Sequence, residues 1–188
     1  AYRRQRQMCK ETAYSLRAQG NAGVQDLFLS AEYARQDKRK VDNENAWYLE
    51  AGWTFSAVAW SPKVNYRYSR FSDGYDPLFY GLNRGFGTWF QGEVAGNYAG
   101  PFNSNTRVHH VGASVTPLEN LSVGALWFDY DTLDNDLGDL SGRELDVYAQ
   151  WGLTDNLMVI PLVGLYQPKN SADNGGTQLG SNDRNLYT

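Results

Sequence analysis

The chain has 188 residues, of which 41% are hydrophobic, and 17 basic against 21 acidic residues give it a net charge of −4. That balance argues against nucleic acid as the main partner, because phosphate binding needs a basic surface, and the lack of any run of about 18 apolar residues excludes a helical membrane protein. Aromatic residues reach 14%, with 13 Tyr and 6 Trp, an excess that suits places where one end of a side chain is oily and the other wet.

In chain order, Tyr2-Arg3-Arg4-Gln5-Arg6 is basic but no apolar stretch follows it. It does not read as a signal peptide, and the chain is expected to be a mature product or a piece of a longer one. Cys9 stands alone, leaving no disulfide framework and no cysteine-based metal site within the chain. Apolar and polar residues then alternate, most clearly in Trp47-Tyr48-Leu49-Glu50-Ala51-Gly52-Trp53-Thr54-Phe55 and in Leu145-Asp146-Val147-Tyr148-Ala149-Gln150-Trp151. Successive side chains of a strand point to opposite faces, so each such segment predicts a strand with one apolar and one polar face. Strands are predicted at 8–19, 25–36, 45–56, 62–72, 106–116, 121–131, 142–153 and 155–167.

The connections differ at the two ends of these strands. Segment 56–62 is short and carries Pro62 at a strand start, and the turns around Pro117 and Asp155 are tight. Segments 36–45 and 131–142, and everything after 167, are longer and charged or rich in Gly and Asn. Short turns at one end and long loops at the other are the signature of a transmembrane antiparallel β-barrel, with the long loops outside the cell. A further strand at Thr88–Tyr98 would reverse the sidedness of every later turn. Residues 73–105 are therefore expected to form one long extracellular loop, folding toward the barrel mouth, with a helical turn at 88–98. Both ends of the chain then lie outside, whereas bacterial barrels begin and end in the periplasm. The expected fold is all-β, about eight strands that form a fragment of a larger barrel, and a complete eight-stranded barrel is the alternative.

A basic residue on the lipid face at mid-membrane costs about 2–4 kcal/mol, so alternation assigns Arg17, Arg67, Glu32, Glu50 and Asp146 to the lumen. Leu29, Trp47, Leu49, Trp53, Tyr66, Val147 and Trp151 take the lipid face. The facing of 121–131 and 155–167 is ambiguous, because both faces are apolar at several positions. One reading of the lumen ladder is structural, with Arg–carboxylate pairs stiffening the wall. The other is a selectivity surface for a charged or hydroxyl-rich solute. For any single pair the structural reading weighs more.

Trp60-Ser61-Pro62-Lys63-Val64-Asn65-Tyr66-Arg67-Tyr68, then Asp76-Pro77-Leu78-Phe79-Tyr80-Gly81, then Gly92-Glu93-Val94-Ala95-Gly96-Asn97 and the Pro-turn strand pair at 106–131 resemble the carboxy-proximal part of the alginate-export family of outer-membrane porins. The resemblance covers most of 45–167 and rests on the order of elements more than on any one motif. It implies a monomeric barrel of about eighteen strands in the bacterial outer membrane, in contact with outer-membrane lipid and lipopolysaccharide. Such a barrel passes an anionic polyuronate or related solute by passive diffusion through a basic lumen, without cofactor or catalysis. By the same resemblance Arg17, Arg67, Arg70 and Arg84 are the solute-facing bases of the lumen, the last two near its outer mouth, with Glu32, Glu50 and Asp146 lining the same surface. The many lumen carboxylates depart from that pattern and leave another polar solute open.

Other constellations are weaker. The rings of His109 and His110 must point to opposite faces of a strand and cannot share a metal; they read as surface or strand-end histidines. Asp131, Asp134, Asp136 and Asp139 lack EF-hand spacing and read as a solvated acidic loop. Asp26, Ser30 and Glu32 have no well-placed His and form no hydrolase triad. The runner-up function is a plugged outer-membrane barrel acting as an adhesin or membrane-embedded enzyme, and a soluble β-sandwich is a third reading.

Overall fold

The computed structural model describes residues 12–37, 42–76, 92, 95, 104–170 and 185–187. They form one antiparallel sheet of ten strands: β1 (Thr12–Gly20), β2 (Leu27–Asp37), β3 (Glu44–Thr54), β4 (Lys63–Phe71), β5 (Thr106–Leu118), β6 (Leu121–Thr132), β7 (Gly142–Thr154), β8 (Leu157–Val159), β9 (Leu162–Pro168) and β10 (Asn185–Tyr187). Nine follow one another in chain order across the sheet, and short β8 sits beside β7. Among the described residues β1 and β10 are not paired with each other, so the sheet is open there. An all-β antiparallel sheet of this kind is consistent with part of a barrel wall.

The predicted strand at 155–167 is divided. Pro161 has no N–H to give the ladder, yet its carbonyl accepts from Ala149 N–H at 3.0 Å. The pairings Trp151–Val159 and Tyr148–Leu162 therefore keep one register across the gap. A second irregularity lies between Val115 and Leu118, where the β5–β6 register shifts, and there Thr116 N–H turns to the Trp60 carbonyl at 2.8 Å. Residues Asn135–Leu137 form a 3-10 turn capped by the Asp134 side chain.

The alternation in the sequence becomes two unlike faces. On β3, Ala46 and Tyr48 are buried while Leu49 is 58% exposed; on β7, Glu144 and Asp146 are buried while Leu145 and Val147 are exposed. On β2–β4 the buried face carries Glu32 and Arg67 beside a small apolar cluster of Ala34, Ala46 and Phe71, and toward β5–β9 a larger apolar cluster lies beside buried Glu144 and Asp146. There Val108, Leu126, Phe128, Tyr130 and Tyr166 pack with Ala95. Each fully buried large side chain there contributes roughly 1.5–3 kcal/mol. Apolar packing on this face explains why 121–131 shows no clean alternation.

β4 pairs directly with β5, so the excursion at 72–105 leaves and returns at one end of the sheet. Its root is fastened there: Asn105 N–H and Tyr75 N–H both reach the Ser72 carbonyl, at 2.9 and 3.1 Å. Buried Gln36 brackets Asp76, accepting from its N–H at 2.9 Å and donating to its carbonyl. Of the stretch expected to hold a helical turn, only Gly92 and Ala95 are described; the remainder of that expectation lies outside the described residues.

Candidate functional site

Strand register lines up one row of side chains across the buried face: Ser30 on β2, Glu50 on β3, Arg67 on β4, His110 on β5, Phe128 on β6 and Glu144 on β7. Arg67 is the centre of its polar half. Its guanidinium donates to Glu50 Oε2 from Nη2 at 3.1 Å and from Nε at 3.3 Å. It also lies over the Tyr48 ring, 5.0 Å from the centroid. Asn65 Nδ2 donates to the other Glu50 oxygen at 2.9 Å, and the Ser30 and Tyr48 hydroxyls share a hydrogen bond of 2.8 Å. A charge this deep in the fold is tolerable only with such partners.

Beside this group the face opens into a cavity of about 470 Å³ lined by Arg17, Gln19, Glu50, Lys63, Asn65 and Arg67 among others. The glycine at 52 leaves part of this space, since a Cβ there would come within 3.2 Å of Asn65. With three bases and one acid among its charged walls, the cavity suits a polar solute with negative charge.

The other half of the row is covered. Ala95 N–H donates to Glu144 Oε2 at 2.5 Å, and Glu144 is 1% exposed. Gly92 lies against Tyr130 and Glu144 so closely that no Cβ fits, and its φ of +93° suits glycine alone. Gly92 and Ala95 thus rest on the buried face over β6 and β7.

Of the residues singled out in the sequence, Arg17, Arg67 and Glu50 meet at the cavity. Glu32 lies on the same face, opposite Arg17 in register and accepting from the Ser15 hydroxyl at 2.7 Å. Asp146 is fully buried on β7, three strands from Arg67 and away from the cavity. Arg70 requires a correction: between buried Ser69 and Phe71 it takes the opposite, exposed face of β4, because strand alternation reverses direction three residues after Arg67. Arg84 lies outside the described residues.

The histidines do take opposite faces. His110 is nonetheless no surface residue: it is 2% exposed and stacks on Phe128 with centroids 4.6 Å apart. His109 pairs with the Tyr66 hydroxyl at 2.7 Å on the exposed face. The acidic residues of 131–139 serve local structure. Asp134 caps the 3-10 turn, Asp139 accepts from Ser141 N–H at 2.9 Å, and Asp131 pairs with Arg107 and Lys169. Lys63 and His110 were not singled out as site residues; parity along β4 places Lys63 on the face of Arg67, whereas His110 is brought there by the β4–β5 register.

No family model matches the sequence, and no curated protein matches it.

Proposed function

We propose that the sheet is part of the wall of an outer-membrane channel that passes a polar, anionic solute such as a polyuronate by passive diffusion. The observation that carries the membrane part is the layout of aromatic residues on the exposed face. Following the register from Trp47 on β3 leads to Asp131 on β6, and Trp127 lies four residues further toward the short-turn end. From Trp53 the register leads to Val147 on β7, and Trp151 lies four residues further in the same direction. The two aromatic lines are therefore oblique to the strands in the same sense. Four residues of rise against three or four strand spacings is a slope of roughly 35–42°, the tilt of strands in a membrane barrel. Between the lines lie Leu49, Ala51, Val111, Ala125 and Val147, with no charge.

The solute reading rests on Arg17, Lys63 and Arg67 around the cavity on the other face. The test is ion selectivity of the intact protein in planar bilayers, with and without uronate oligomers. Anion-preferring current blocked by uronates, with the preference reduced in Lys63→Glu but kept in Arg35→Glu, is the expected result; cation preference in the wild type overturns it. The contact of Ala95 with Glu144 favours a second reading, a plugged barrel whose loops do the work. Correct insertion without current would select it.

A further inference from the structure

We infer that the exposed face carries a binding site for a phosphorylated lipid of the outer leaflet, with its phosphate between Arg70 and Arg107 and an acyl chain in the apolar hollow below; this rests on the membrane reading above. Arg70 and Arg107 are direct cross-strand partners on β4 and β5. Like charges so placed repel, and the neighbouring acids do not relieve both. Asp131 serves Arg107 and Lys169, while Asp129 serves Arg143 and Lys169. Three bases thus share two acids, and among the described residues no ion pair reaches Arg70. Its other cross-strand partner is Trp47, the start of the aromatic line nearer the long-loop end. A phosphate monoester carries the two negative charges and acceptor oxygens that a pair of guanidiniums binds bidentately.

The second observation is what lies below. Two and four residues down β4 from Arg70 come Tyr68 and Tyr66. They wall a hollow of about 560 Å³ in which Ala31 and Ala51 leave room beside Leu29 and Leu49. A free phosphate has no use for an apolar trough. A lipid whose headgroup sits at the arginines does, and at the long-loop end of a barrel the outer leaflet supplies one in lipid A.

The test compares the intact protein in nanodiscs containing bisphosphoryl lipid A, the same glycolipid without phosphates, or neither with added inorganic phosphate. Bound glycolipid is counted by native mass spectrometry. Expected is retention of the phosphorylated form at least about tenfold above the dephosphorylated one, lost in Arg70→Gln/Arg107→Gln and kept in Arg35→Gln. Leu49→Trp, which fills the hollow, should lower retention without touching the arginines. Equal retention of both glycolipids by a correctly inserted protein overturns the site while leaving the membrane reading intact. Competition by inorganic phosphate at matched concentration overturns the lipid as ligand. Failure to enter any of the nanodiscs overturns both readings together.

Discussion

Arg67 Nη2 lies 3.1 Å from Glu50 Oε2, with the two side chains 2% and 11% exposed. A pair this enclosed behaves unlike a surface pair: removing one partner strands the other charge. Arg67→Met is expected to destabilise by about 3–5 kcal/mol, and Arg67→Met/Glu50→Gln to recover most of that loss. Urea titrations of the refolded intact protein measure both. Additive losses in the double variant would show that the two side chains do not act as a unit.

The aromatic lines on the exposed face predict a depth profile. With brominated lipids, Leu49→Trp should be quenched most by bromine near the bilayer centre, while native Trp47 and Trp53, studied one at a time, respond more to shallow bromine. Leu49→Arg should cost about 2–4 kcal/mol of stability in lipid. Uniform, weak quenching at all three positions would place this face in water or against protein.

Glu144 accepts from Ala95 N–H, and Gly92 lies close against Glu144 and Tyr130. Gly92→Ala needs a Cβ where Tyr130 and Glu144 already lie, so the segment must lift, at a cost of about 1–3 kcal/mol. Glu144→Gln keeps an acceptor for Ala95 N–H and should cost less than Glu144→Ala, which orphans that donor. Protease cleavage within 77–103 should be faster in Gly92→Ala and Glu144→Ala than in Glu144→Gln. Equal rates in all three would mean that this contact does not hold the segment down.

Lys169 predicts an alkaline limit. Burial works against its charge, but hydrogen bonds from its ammonium to Asp129 and Asp131, and their Coulomb attraction, outweigh it and hold its pKa above the ordinary lysine value of 10.5. A raised folded-state value means that the stabilisation is full below the unfolded pKa and lost as pH rises through the folded one. The stability gap between wild type and Lys169→Gln should hold from about pH 7 to about pH 10 and close above that. A gap unchanged at higher pH would assign the effect to packing of the lysine stem.

Much of the fold was legible because a strand has a period of two and charges do not sit on an apolar face. Glu50, Arg67 and Asp146 were placed on one face by that rule alone, and so were Leu49 and Val147 on the other. Arg70 was misplaced when a resemblance overrode the parity that separates it from Arg67. His110 was read as a surface residue because adjacent histidines look polar, whereas the ring of Phe128 makes its position a core one. The break at Pro161 was not foreseen in the strand predicted at 155–167, although a proline inside a strand removes one N–H from the ladder. Nothing in the sequence announced that Ala95 would meet Glu144, because that contact joins positions 49 residues apart through a segment with no periodic pattern.

Leaving aside short β8, each described strand lies beside the one that precedes it in the chain, so the hairpin is the unit from which the wall is made. Adding or removing one whole hairpin keeps every other ladder, both faces and the division between short and long connections. A single strand added or lost would turn every later loop to the other side. The breadth of such a wall can therefore change in steps of two strands by duplication within the gene, and an enclosed width can be reached without redesigning a residue already in place.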